Sequence, residues 1–101
     1  RVSFWILTPR SYDISGVLFT LCDMHRADLS RANLSNSICQ QATLIKANLS
    51  ECKAPLAVFN KAQMTRCNLS GAILTSADMK EATLAKGINY YFIYRELTIV
   101  L

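Results

Sequence analysis

Little in this chain of 101 residues is suited to chemistry. It has one histidine, His25, and three glycines, Gly16, Gly71 and Gly87. Glycines so few and so far apart exclude a phosphate-cradling loop. The four cysteines, Cys22, Cys39, Cys52 and Cys67, contain no Cys-x-x-Cys pair of the kind that holds zinc. Cys22-Asp23-Met24-His25 is a short run of ligand-type residues, but the repeat described below turns Cys22 inward and His25 outward. Asp23 and Asp28 fall on different sides of that repeat, so they make no carboxylate pair. Ser30, Ser50 and Ser70 have no base beside them. No catalytic residue, metal or cofactor is therefore expected. Long apolar runs are also missing. Residues 2–7 are too short for a membrane span or a secretory core, and no other segment approaches eighteen apolar residues, so a soluble chain without a transmembrane segment is expected.

What is present is a count of five. Residues 12–86 divide without gap or slip into fifteen blocks of five. The block centres are Ile14, Phe19, Met24, Leu29, Leu34, Cys39, Leu44, Leu49, Ala54, Phe59, Met64, Leu69, Leu74, Met79 and Leu84, all apolar. Two residues before each centre, after Tyr12, stands a small residue or valine, from Val17 and Cys22 to Ala77 and Ala82. A fixed period over so much of a chain means stacked like units. Five matches neither the helical 3.6 nor the strand 2. Helix caps are missing, and the β-branched, Asn, Asp and Ser residues are poor helix material.

A chain that turns a corner every five residues returns above its start after four corners. The coil is then twenty residues long, and the sequence repeats at that length: Ala27-Asp28-Leu29-Ser30, Ala47-Asn48-Leu49-Ser50, Cys67-Asn68-Leu69-Ser70. Centres sort into four interior columns, one of which alternates Phe19, Cys39, Phe59 and Met79, as a packed ladder requires. Ala54 is small for a centre and is followed by Pro55, so a void or a bent turn is expected there. Tyr12 is large for its position and predicts a distorted first edge.

Blocks such as Ala27-Asp28-Leu29-Ser30-Arg31, Ala32-Asn33-Leu34-Ser35-Asn36 and Ala47-Asn48-Leu49-Ser50-Glu51 resemble the pentapeptide-repeat family, whose motif is A(D/N)LXX. The resemblance covers about three quarters of the chain. It implies an all-β fold, a right-handed quadrilateral β-helix of about four coils, with the centres and small residues inside as structural core. It also brings to mind that family's mimicry of duplex DNA toward type II topoisomerases. That activity needs an acidic surface, and this chain carries a formal +4, of which residues 12–86 contribute eight basic residues against six acids. DNA mimicry is disfavoured on that ground.

The length supports one domain, stabilised by stacking of neighbours. The expected organisation is an N-terminal cap or flank at 1–11, the β-helix at 12–86, and at 87–101 a C-terminal cap, a dimerisation strand or the start of a following domain. The last segment, with Tyr90, Tyr91, Phe92, Ile93 and Tyr94, offers a route to a homodimer. A first residue of Arg1 leaves room for the chain to be processed or an excerpt. The four cysteines fall at interior positions and read as small buried hydrophobes. Free thiols fit a reducing compartment, so cytoplasm is expected.

Function must then reside on outward columns, and two stand out. The residue before the centre, usually Asp or Asn, runs Leu18, Ile38, Val58 on one side, with Leu21 and Leu56 at neighbouring outward positions. This apolar strip reads as a protein-binding face of a non-enzymatic scaffold, or as a face covered by the chain's own flanks. The last residue of every fourth block runs Arg26, Lys46, Arg66, Lys86, a candidate anion-binding ridge for nucleic acid or another anionic surface, or a solvated edge that discourages aggregation. Nucleic acid is the disfavoured partner of the two, because no aromatic residues interleave with the basic ones. The three Asn-x-Ser sequences at Asn33, Asn48 and Asn68 are by-products of the repeat, and their side chains are expected to bond neighbouring coils.

Overall fold

The structure, a computed structural model, describes residues 12–84. The flanks 1–11 and 87–101, and with them Lys86, lie outside the described residues.

Every block from 12 to 81 has the same local form: a bridge at the residue before the centre and a turn at the two residues after it, and the bridge recurs at Thr83. The turn is closed by a backbone bond from the next small residue to the centre's carbonyl, as in Cys22 N–H to Phe19 O at 2.9 Å and Ala27 N–H to Met24 O at 3.0 Å. In each of these turns the last residue of the block has a positive φ. Leu21, Arg26, Gln41, Lys46, Leu56, Ser76 and Glu81 all do so, at 56° to 62°, as do Gly16 and Gly71 at 71°. The residue before it does not, and positive φ at the third position alone is the signature of a type II turn.

Between turns only three residues remain, too few for a continuous strand. The β character is therefore a set of isolated parallel bridges, all between residues twenty apart. They define four faces, each called here by one bridged residue. The Asn33 face holds Asp13, Asn33, Lys53 and Ile73. The Leu18 face holds Leu18, Ile38, Val58 and Asp78. The Thr43 face holds Asp23, Thr43, Gln63 and Thr83. The Asn48 face holds Asp28, Asn48 and Asn68. From Ile14 to Met64 each centre donates its N–H to the coil above, as Phe19 to Ile38 O at 2.6 Å. From Asn33 to Thr83 each bridged residue donates to the coil below, as Ile38 to Val17 O at 3.0 Å. From Gly16 to Lys61 each corner residue also donates upward, as Leu21 to Gln40 O at 3.0 Å.

Four of the five amides in a block are thus satisfied by backbone. The fifth belongs to the residue after the centre, and among the described residues no backbone carbonyl accepts it. Here the Asp or Asn of the motif finds its purpose. Its Oδ1 accepts the N–H two residues on: Ser30 to Asp28 at 3.1 Å, Ser35 to Asn33 at 3.0 Å, Ser50 to Asn48 at 3.0 Å, Ser70 to Asn68 at 3.0 Å. The serine hydroxyl adds a second bond, 2.7 Å from Ser30 to Asp28 and from Ser50 to Asn48. The expectation that these asparagines tie one coil to the next holds for Asn33, whose Nδ2 donates to Asp13 Oδ1 at 3.4 Å. All three asparagines also bond their own corner, which was not expected, and among the described residues that is the side-chain bond shown for Asn48 and Asn68.

The same accounting explains Pro55. It occupies the position whose N–H has no backbone acceptor, and its fixed φ suits the second position of a type II turn. The expected bend is absent: Leu56 N–H still bonds Thr75 O at 2.9 Å and Ala57 N–H bonds Ala54 O at 3.3 Å. Tyr12 does not distort its edge either. Its carbonyl accepts Asn33 N–H at 2.7 Å, and its ring is half-buried against the core.

Inside, thirteen of the fifteen centres are buried, and Ile14 and Leu84, at the two ends of the described segment, are half-buried. Val17, expected inside, is 38% exposed. Ser37 is the buried polar residue of the small column, its Oγ 3.9 Å from Cys39 Sγ. All four cysteines are free and buried. Burial pushes the Cys39 and Cys52 thiols up from 9.0 to about 12 and raises Cys67 further.

Corner chemistry makes the first prediction. Asn48→Ala removes both Ser50 bonds and is expected to cost about 1 kcal/mol. Gly71→Ala places a Cβ 3.2 Å from Glu51 Cγ at a φ of 71°, whereas Gly16→Ala meets nothing within 4 Å. The first is expected to lower stability by about 1 kcal/mol and the second by less. Urea midpoints of the three variants check this.

The thiols make the second. Unfolded cysteines ionise near 9.0, while the folded ones hold their protons to about 12. In that window the folded chain binds more protons, so stability falls as pH rises above 9.0 and is fully present below it. The loss is on the order of 1 kcal/mol per thiol per pH unit. The double variant Cys52→Ala, Cys67→Ala, which restores the commonest small residue, is expected to match the parent at neutral pH and to lose less stability at pH above 9.0. Thermal melts across that range test it.

Candidate functional site

The twenty-residue register brings Leu18, Ile38 and Val58 together as consecutive bridged neighbours. Leu18 is 69% exposed, while Ile38 and Val58 are half-buried by their neighbours in the ladder. Leu21 and Leu56 lie on opposite corners of this face, Leu21 in the column with Gln41 and Lys61, Leu56 in the column with Asn36 and Ser76. They are 55% and 57% exposed. Apolar surface therefore crosses the face diagonally. It ends where Asp78 replaces the apolar residue and accepts Lys80 N–H at 3.0 Å. Ile73 adds an exposed apolar side chain on the Asn33 face.

Arg26, Lys46 and Arg66 stack on one corner, as expected. The Arg26 N–H bonds Ile45 O at 2.9 Å and the Lys46 N–H bonds Thr65 O at 3.0 Å, which fixes their register. All three are exposed. Lys86, the fourth residue of that column in the sequence, is outside the described residues. The neighbouring corner behaves differently: Arg31 is answered by Glu51 of the next coil at 3.9 Å.

The chemistry-bearing residues do not converge. Cys22 is buried and His25 exposed. His25 Nδ1 lies 3.3 Å from Asp23 Oδ1, a local corner contact of the same kind as the serine bonds. The Ser30 and Ser50 hydroxyls are tied to Asp28 and Asn48. Two hydrogen bonds from Ser15, hydroxyl first and amide second, lower the Asp13 carboxyl below its ordinary value. Among the described residues, no three His, Cys, Asp or Glu side chains gather as a metal site would need. Nor is any described helix long and apolar enough to cross a membrane.

Sequence reasoning passed over a concavity of about 450 Å³ on the Thr43 face, lined by Thr20, Leu21, Gln41, Thr43 and Gln63. The signal was available. Thr43 and Gln63 occupy the position where Asp or Asn is usual, and the twenty-residue register stacks them.

Comparison with known proteins agrees with this geometry. The family model for pentapeptide repeats matches in eight copies over residues 22–60 and 56–86. Among solved structures, the chain is similar to HetL of the cyanobacterium Nostoc sp. strain PCC 7120, a pentapeptide repeat protein involved in heterocyst differentiation regulation. Identity is 25% and the TM-score 0.56, over 87% of this chain and 39% of that one. A pentapeptide repeat protein of the cyanobacterium Cyanothece matches at 19% identity and a TM-score of 0.50, over 79% of this chain and 84% of that one. One from the Arabidopsis thaliana thylakoid lumen matches at 28% identity and a TM-score of 0.43, over 78% and 61%. The chain thus spans well under half the length of HetL and less than two thirds of the Arabidopsis protein. No curated protein matches it. The family model over residues 22–86, with the repeat and its bridges, makes the chain a member of the pentapeptide-repeat family, and the likeness to HetL agrees with the right-handed β-helix of that family as its fold.

Proposed function

We propose that the chain is a non-enzymatic scaffold that holds a protein partner against its Leu18 face. One observation carries this reading. At the outward position where the motif supplies an Asp or Asn to satisfy the corner, this face presents Leu18, Ile38 and Val58 in direct succession, with Leu21 and Leu56 exposed at its edges. Each of these residues forgoes the side-chain bond that Asp28, Asn33 and Asn48 make, and exposes apolar surface instead. A contiguous exposed apolar patch on a rigid ladder is the usual form of an interaction site. The dispersed chemistry of the other faces, with serine hydroxyls engaged at their own corners, supports binding rather than catalysis. Four buried free thiols support work in a reducing compartment such as the cytoplasm.

The test uses the triple variant Leu18→Asn, Ile38→Asn, Val58→Asn. Asparagine is native at the equivalent positions 33, 48 and 68, so the variant is expected to keep the fold and to gain corner bonds. Affinity capture from host-cell lysate with parent and variant baits, each verified by circular dichroism, is the measurement. The expected outcome is a protein partner retained by the parent in high salt and weakened tenfold or more, roughly, by the variant. A partner held equally by both baits would sink the reading.

A further inference from the structure

The Thr43 face, next to the Leu18 face, carries the opposite chemistry. Its concavity of about 450 Å³ is lined by four polar residues, Thr20, Gln41, Thr43 and Gln63, and one apolar residue, Leu21. The face itself is edged on one side by the corner of Arg26, Lys46 and Arg66, which stands beside the lining of the concavity and not in it. The other edge is the corner of Leu21, Gln41, Lys61 and Glu81, whose register is fixed by Gln41 N–H to Asn60 O and Lys61 N–H to Lys80 O. Acids stand only at the two ends of this face, Asp23 in the first coil and Glu81 in the last. At the levels of Thr43 and Gln63, floor and edges are neutral or cationic.

The cations are also unanswered. Among the described residues, Arg26, Lys46, Lys61 and Arg66 form no ion pair, although all are exposed. Like charges stacked in neighbouring coils are destabilising. The fold has a ready remedy, because Arg31 one corner away is paired with Glu51 directly above it. On the Arg26 corner that remedy is not used.

We propose that the Thr43 face is a binding site for an extended phosphate chain, laid along the coil axis between the Arg26, Lys46, Arg66 edge and Lys61. The recurrence of one cation per coil, about 4.8 Å apart, spans about 10 Å from Arg26 to Arg66, more than a single phosphate covers. The Thr20 hydroxyl and the Gln41 and Gln63 amides supply donors between the charges. No aromatic side chain lines the concavity, so the site reads a backbone and not bases. The site stands on residues separate from the apolar strip, apart from Leu21 on the shared corner, and does not depend on the scaffold reading.

Two phosphate chains from different sources test it by isothermal titration of the whole chain: inorganic polyphosphate and a single-stranded oligothymidylate. Four cations on a single-stranded phosphate chain give a salt slope of about −3, so a fourfold rise in salt is expected to weaken binding about 50-fold. The variant Arg26→Ser, Lys46→Ser, Arg66→Ser is expected to weaken low-salt binding at least about tenfold and to flatten that slope. Ser76 already occupies a corner position at positive φ, so serine is compatible with the turn. The control Arg31→Ser, Lys53→Ser, which removes charge from elsewhere, is expected to bind like the parent. Binding of polyphosphate alone would assign an inorganic chain, and binding of the oligonucleotide a nucleic-acid backbone; either supports the site. The proposal is overturned if neither chain binds in low salt, if the triple variant binds as the parent does, or if the control loses as much as the triple variant.

Discussion

A left-handed residue at every fifth position turns this chain through its corners, and the remaining features follow from that turn. Type II corners leave only three residues per side, which rules out a continuous strand and a conventional sheet. They also set the coil at four sides, so every bridge joins residues twenty apart. The cost is conformational. Left-handed φ is unfavourable for residues with a Cβ, yet twelve of the fourteen corners from 16 to 81 carry one. The ladder offsets that cost because each corner residue from Gly16 to Lys61 donates its own N–H to the coil above. A single such corner is poor local structure, whereas a stack of them is cooperative. This is why the fold needs repetition and why its units cannot stand alone.

The division of labour within a block comes from the same accounting. Small residue, bridged residue, centre and corner all have backbone acceptors, and the residue after the centre has none. An Asp or Asn at the bridged position supplies one. Where Pro55 removes the donor, Lys53 stands in place of the Asp or Asn without loss. The motif is thus two separable rules: the inward pair fills the core, and the polar residue completes the corner. Relaxing the second rule leaves the coil intact, since Leu18, Ile38, Val58 and Ile73 are all bridged normally. That tolerance frees the outward faces for binding.

The sequence made the interior legible because a strict period of five is a direct record of which side chains point inward. Phe19, Cys39, Phe59 and Met79, sorted by twenty, stack as the period requires, and all are buried. The Leu18 face was legible for the same reason, as an exception to a regular column. The direction of the asparagine bonds was not. Periodicity says that residues 33, 48 and 68 are equivalent, but a bond to the next coil and a bond around the corner have the same period. Only geometry separates them. Tyr12 and Pro55 misled in a related way: each is unusual for its residue type, but the backbone bonds at its position tolerate it. The concavity on the Thr43 face was passed over because its lining comes from three successive coils and shows only when the outward columns are sorted by twenty.

The two faces singled out here share one corner, the column of Leu21, Gln41 and Lys61. Between them lies a core of close-packed side chains tied by a hydrogen-bonded ladder. A ligand shifts an equilibrium only by binding one of two states better than the other. In a solenoid with one packed state, an occupant on the Leu18 face would have nothing to bias beneath the Thr43 face, and the energies of two occupants would add. Any coupling would have to be direct, through contact or charge at the shared corner, where Lys61 faces a phosphate chain on one side and an apolar partner on the other. Coupling of that kind would shrink with added salt, whereas coupling through the scaffold would not. A solenoid held in one packed state would by the same packing be limited in what it can transmit.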